Sequence, residues 1–173
     1  DASALPDGIH DYVDRLVQPY VEAVAEWYGA LHVGQTGGVL HDIVRRHLGD
    51  PFFGVFLNPG HLLHLDEWVA SPVSEGSSIG LRSGTALQCD IIPATGSDYF
   101  TTNIEDGVAL ADRELREELA ARDPRMMGRV AARRAFMRDA LGIELHEDVL
   151  PLSNIPAWLP PFLLDTNRAM TAA

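Results

Sequence analysis

The sequence is poor in cysteine, in basic residues and in long apolar runs. Cys89 is the one cysteine, so an internal disulfide is excluded and a reducing cytoplasm is the expected location. Only 13 Lys and Arg stand against 25 Asp and Glu. The resulting net charge of −12 excludes nucleic acid and anionic membranes as partners, because both repel an acidic surface. No apolar run approaches the roughly 20 residues of a membrane span, so no membrane partner is expected.

The remaining composition is that of one globular domain. A chain of 173 residues that is 46% hydrophobic and 22% charged can bury a core of its own. We predict helices over 8–48, a sheet over 51–112, helices over 113–142 and an extended, proline-rich tail over 143–173. This order indicates an α+β domain in which an antiparallel sheet carries helices on one face.

Local signals indicate where the elements begin and end. Apolar residues at steps of three and four predict a helix over 9–31, which Pro19 should kink. A second helix is expected to end at a left-handed Gly49. Asp123 as N-cap and Gly142 as terminator delimit a third long helix. Alternating or short apolar runs predict strands near 52–57, 62–69, 85–93 and 98–111.

Histidines and carboxylates near the predicted strands are candidate metal ligands. His61 and His64 lie beside a strand in a sheet that also carries acidic residues. Strand alternation places Asp90 in the middle of one face, and it gives Glu105 and Asn103 a common face. If the strands pair, one imidazole and two carboxylates can share a cavity, which is a plausible set for a divalent metal. Spacing alone leaves open that these side chains are solvated or hydrogen-bonded instead.

Four short segments carry a resemblance to a known enzyme family. Segment 60–66 reads Gly-His-Leu-Leu-His-Leu-Asp, 84–90 reads Gly-Thr-Ala-Leu-Gln-Cys-Asp, and 103–106 reads Asn-Ile-Glu-Asp. They resemble, in order, the metal-histidine strand, the Gly-x-x-Leu-x-x-Glu strand and the Arg-Ile-Glu-Asp strand of the aminopeptidase P and creatinase metallopeptidases. Segment 32–38 is similar to the turn between two helices of the same fold. The resemblance covers roughly residues 10–112.

The resemblance implies the C-terminal half of a pita-bread catalytic domain, with His61, Asp90 and Glu105 as a partial metal site. Members of the family hold two divalent metals, usually manganese, cobalt or zinc, between two Asp, one His and two Glu. They hydrolyse the peptide bond after the first residue, commonly ahead of proline. The two Asp belong to the preceding half, which would lie before Asp1. The missing half or a homodimer mate is therefore the expected partner, and the chain alone should not cleave Xaa-Pro peptides.

Departures from the family pattern predict weakened or lost peptidase activity. Asp90 replaces a Glu and is one methylene shorter, and Asn103 replaces an arginine. Trp68 stands where the family has a second histidine, and an indole has no basic nitrogen. His64 replaces a glycine and is a candidate acid/base catalyst or metal ligand, or else a packed or partly exposed histidine. Trp68 and Asn103 should line the substrate pocket. The alternative function is a non-catalytic pita-bread protein that binds a peptide or small molecule, or dimerises.

The proline-rich segment 150–161 extends beyond the usual end of the family. We expect it to cover apolar surface of the sheet or helices. The alternative is that Trp158 and Phe162 line a pocket or a dimer contact.

Overall fold

The computed structural model describes residues 5–63, 69 and 71–172, and its helices lie before the first strand and between the third and fourth strands of its sheet. A π-helix, Val13–Val17, leads into α1, Gln18–Ala30, and α2 spans Gly37–Leu48. The remaining elements are β1 (His61–Leu62), β2 (Ala86–Asp90), β3 (Glu105–Leu110), α3 (Arg113–Arg122), α4 (Pro124–Leu141) and β4 (Val149–Pro151). In this part of the chain no helix is both long enough and apolar enough to cross a membrane.

The strands form one antiparallel sheet in the order β1-β2-β3-β4. The central ladder runs from Ala86 opposite Ala109 to Asp90 opposite Glu105. Helices together with an antiparallel sheet confirm the α+β class. Alternation gives the two central strands a core face and an open face. The core face contributes Leu87, Cys89, Val108 and Leu110 to a hydrophobic core shared with α1, α2 and α4.

The predicted helix boundaries at α4 are confirmed. The Asp123 carboxylate accepts a hydrogen bond from the backbone N–H of Met126, and Gly142 ends the helix at φ +71°. Pro19 lies in the first turn of α1, at its junction with the π-helix, and Val17 and Gln18 keep right-handed helical backbone angles there. Gly49 has φ −79°, so the left-handed ending predicted for α2 is wrong.

One predicted strand, 52–57, is absent, and another, 98–111, is confirmed only from Glu105 onward, because turns precede or replace the strand in each case. At 52–57 the Asp50 side chain accepts a hydrogen bond from Phe52 N, and the Phe53 N–H binds the Asp50 carbonyl. At 98–104 Phe100 has φ +57° and donates its N–H to Ser97, so β3 begins only at Glu105. Of the strand predicted over 62–69, Leu62 lies in β1, and residues 64–68 lie outside the described part of the chain.

The tail contains regular structure that the sequence did not predict. β4 pairs with β3 through Val149 opposite Leu110 and Pro151 opposite Val108. The Leu152 N–H continues this contact to the Gly107 carbonyl. Pro151 is acceptable there because β4 is an edge strand of the described sheet and needs no donor on its outer side.

Candidate metal centre

His61, Asp90 and Glu105 meet on the open face of the sheet. His61 in β1 lies opposite Gln88 in β2, and Asp90 at the end of β2 lies opposite Glu105 at the start of β3. One ligand atom from each of the three residues lies within 4.8 Å of the other two. Antiparallel pairing therefore brings together the three side chains that the sequence singled out.

The imidazole of His61 is held in one tautomer. Its Nδ1 lies 3.0 Å from the Leu62 carbonyl oxygen, which can only accept, so Nδ1 carries a hydrogen. Its Nε2 lies 3.3 Å from Asp90 Oδ2, and both side chains are buried. Nε2 either carries a second proton, which gives a buried ion pair with Asp90, or presents a lone pair. A lone pair there can accept from a protonated Asp90 or bind a cation that Asp90 also binds, because two bare acceptors that face each other repel.

Gln88 orients the third carboxylate. Its Nε2 donates to Glu105 Oε1 at 2.5 Å, across the ladder between β2 and β3. A carboxylate has two oxygens and about four lone-pair positions, so this hydrogen bond leaves Glu105 able to bind a cation. Gln88 was not among the site residues predicted from the sequence. The available signal was strand alternation, which puts Gln88 and Asp90 on one face.

The donor set fits a divalent cation of the transition series. One imidazole nitrogen and two carboxylates suit manganese, cobalt or zinc. A cation about 2.1 Å from its ligands holds any two of them at most roughly 4.2 Å apart. Ligand atoms that lie up to 4.8 Å apart must therefore approach each other by less than about 1 Å, which small rotations of the side chains allow. Although it is shorter than a glutamate, Asp90 reaches this cluster.

Of the other predicted site residues, only Asn103 lies in the described part of the chain, and it is not part of this cluster. His64 and Trp68 lie outside the described residues, so their catalytic and pocket roles stay predictions. Asn103 is exposed, and its side chain makes no hydrogen bond to any residue that the structure describes. It lines a separate hollow, with Trp158 and Pro160 among its neighbours there.

The core face beneath the cluster offers no activated nucleophile in the described part of the chain. Burial raises the pKa of the Cys89 thiol well above its ordinary value, and the nearby Asp106 and Asp90 carboxylates raise it further. Burial likewise raises the pKa of the Tyr20 and Tyr28 phenols. A thiol that stays protonated is a poor nucleophile, so the candidate chemistry belongs to the open face.

No protein-family model matches this sequence, and no curated protein matches it. Fold and geometry therefore define the class: an α+β domain whose antiparallel sheet carries a His-Asp-Glu cluster of metal-ligand composition.

Proposed function

We propose that this chain is the metal-binding, C-terminal half of a hydrolase domain similar to aminopeptidase P, with the pita-bread fold. His61, Asp90 and Glu105 hold a divalent cation, which is manganese, cobalt or zinc. The observation that carries the proposal is the approach of their ligand atoms to within 4.8 Å on one sheet face. The resemblance of segments 60–66, 84–90 and 103–106 to the family's metal-binding strands supports it independently.

Each residue has a defined part in this proposal. The Leu62 carbonyl accepts a hydrogen bond from His61 Nδ1 and so leaves Nε2 to bind the cation. Metal-binding histidines are commonly oriented in this way by a residue that does not itself bind the metal. Asp90 and Glu105 supply the negative charge, and Gln88 restrains Glu105. A bound divalent cation lowers the pKa of water and polarises a carbonyl group, which is the chemistry that hydrolysis needs.

The described residues supply one such cluster, so we expect one cation per chain and not the pair that the family uses. The two further Asp ligands would come from the missing half of the fold or from a second chain. Without them, the chain is expected to bind metal and to leave Xaa-Pro peptides intact. Manganese-dependent release of the first residue of such a peptide by this chain would contradict that expectation.

The second candidate is a non-catalytic binding or dimerisation protein that keeps the shell of the fold. One observation favours it: the His61 Nε2 to Asp90 Oδ2 distance of 3.3 Å also suits a direct hydrogen bond within an ion pair. In that case a proton takes the position of the cation, and the cluster has a structural role.

Metal titration after chelation separates the two candidates. We expect an EDTA-treated chain to take up about one manganese, cobalt or zinc ion, measured by elemental analysis after dialysis. Metal ligands must be deprotonated, so uptake should release any protons that the metal-free cluster holds. Calorimetry in two buffers of different ionisation enthalpy measures that release. A folded chain that retains no stoichiometric metal overturns the metal-dependent function and favours the ion pair.

Gln88→Ala tests whether Glu105 is held in position for the cation. Loss of a partner that orients a ligand lowers metal affinity by about 10-fold or more, and we expect that loss in the calorimetric Kd. Gln18→Ala is the matched control, because Gln18 donates a similar hydrogen bond to Glu22, at 3.0 Å, in α1. Equal affinities in the two variants would show that Gln88 does not support the site.

A further inference from the structure

A hollow of about 430 Å³ opens beside the segment that leads into Glu105. Part of its lining is 101–104, which runs directly into the cluster residue Glu105. Another part is 158–161, in the tail that extends beyond the family resemblance. Such a volume lies in the range of small-molecule sites, towards its lower end.

The lining of this hollow carries no formal charge. It consists of aromatic, proline and aliphatic residues with two threonines and one asparagine, in a chain that is 22% charged. Tyr12 also stays neutral, because burial raises the pKa of its phenol. A charged ligand would lose its hydration here without gaining a counter-charge, so the lining selects uncharged groups.

The part of the hollow that 158–161 form, which we call the tail wall, is held in place by Asp106, the residue after Glu105. The Asp106 carboxylate accepts a 2.6 Å hydrogen bond from the Ala157 N–H. Ala157 has φ +57°, a left-handed conformation that costs a residue with a Cβ about 1–2 kcal/mol. The buried Asp106 therefore maintains a backbone conformation that directs the chain into Trp158. Strain of this kind is concentrated at binding sites.

Further contacts keep the wall rigid. The Trp158 ring lies 6.2 Å from the ring of Phe136 in α4, measured between centroids. The Met170 N–H donates to the Leu159 carbonyl at 2.8 Å. A preformed wall loses little entropy when a ligand binds.

Asn103 adds the one side-chain amide of the lining. It is exposed, and its amide makes no hydrogen bond within the described residues, so both its donor and its acceptor can serve a ligand. Two residues along a chain span at most about 7 Å, so Asn103 lies close to Glu105. An amide that can donate and accept suits the backbone of a peptide.

We propose that this hollow is a subsite that receives an uncharged, apolar side chain of a peptide, with Asn103 hydrogen-bonding the peptide backbone. The proposal rests on the proposed function in one respect, which is that the bound peptide also contacts the cation. The preference for an apolar side chain rests on the hollow alone.

Three small probes test the subsite in the full chain: N-acetyl-leucinamide and the corresponding lysine and aspartate amides. They are titrated first in EDTA while the Trp158 indole N–H is followed by two-dimensional NMR, its signal assigned with Trp158→Phe. We expect a saturable shift with the leucine probe at millimolar concentration, and at least about 10-fold weaker binding of the charged probes. Absence of the Trp158 shift, or equal binding of all three probes, overturns the subsite.

Two neighbouring leucines provide a matched pair of variants. Leu163 lines the hollow and is 87% exposed, whereas Leu164 is 82% exposed and is not among the lining residues. Because both side chains are largely exposed, we expect a charge at either position to leave the fold intact. Leu163→Asp should weaken binding of the leucine probe at least 5-fold, by placing an anion at an apolar site, and Leu164→Asp should leave it unchanged. Equal effects of the two variants count against the hollow as the binding site.

The link to the cation is tested with alanyl-leucinamide, which has a free amino group. We expect Mn²⁺ to tighten its binding at least about 10-fold and to leave the N-acetyl-leucinamide affinity unchanged. Failure of the metal proposal appears as no metal uptake, with the probe titration in EDTA unaffected. Failure of the subsite appears already in the titration with EDTA, as an absent Trp158 shift or as equal binding of the three N-acetyl probes. Metal uptake without tighter dipeptide binding overturns the joint occupancy.

Discussion

His61→Ala is expected to abolish the thermal stabilisation that manganese or zinc confers on this chain. A ligand that binds only the folded state stabilises it by about 2.7 kcal/mol at 100 times its Kd. For a chain of this size the melting temperature then rises by roughly 5–10 °C. His61 contributes the one nitrogen ligand of the cluster, so its loss should remove that rise.

Each variant is compared with itself, with and without metal, in a thermal melt. This design cancels any change in stability of the metal-free chain, where Asp90 loses its buried imidazole neighbour. His10→Ala is the matched control, because His10 is exposed and is not part of the cluster. It should keep the full metal-dependent rise. If His61→Ala kept the rise as well, His61 would not be a ligand.

Gly37→Ala is expected to have the largest effect on folding. A Cβ at Gly37 would lie 1.8 Å from the Pro72 carbonyl oxygen and 2.5 Å from its carbon, both backbone atoms. A backbone contact cannot relax by side-chain rotation, so the first turn of α2 or the loop at Pro72 must move. We expect a loss of about 3 kcal/mol or more in the free energy of unfolding, measured by urea denaturation.

Gly128→Ala is the matched substitution, with the opposite expected sign. Gly128 lies inside α4, and a Cβ there meets no atom within 4 Å. Alanine should stabilise this helix by about 1 kcal/mol, because glycine is the weaker helix former. A Gly37→Ala chain as stable as the wild type would contradict the close packing of α2 on Pro72.

Elements whose signals are local could be predicted from the sequence. α4 begins and ends as predicted because Asp123, Pro124 and Gly142 act on their own neighbouring backbone. β2 lies within its predicted range because an alternating pattern survives whichever strand it pairs with. The segments 52–57 and 98–104 were predicted wrongly, since side-chain and backbone hydrogen bonds of turns outweigh their apolar composition.

The candidate site shows the same division. Residue type and alternation indicate which face Asp90 and Glu105 occupy, and the resemblance of segment 60–66 to a metal-histidine strand singled out His61. Their proximity depends on register, which sets Asp90 opposite Glu105 and His61 opposite Gln88. The hydrogen bond from Gln88 to Glu105 is a consequence of that register.

The sequence by itself determined the class of fold, the boundaries of the capped helix α4 and the three side chains that form the cluster. Only the tertiary structure decided that β4 adds to the sheet, that Asp106 holds the tail at Ala157, and that a neutral hollow lies beside Glu105. The physical reason is the sequence separation over which each kind of interaction acts. Caps and alternation act between residues a few positions apart, whereas these contacts join segments about 40 or more positions apart, whose meeting depends on how the whole chain packs.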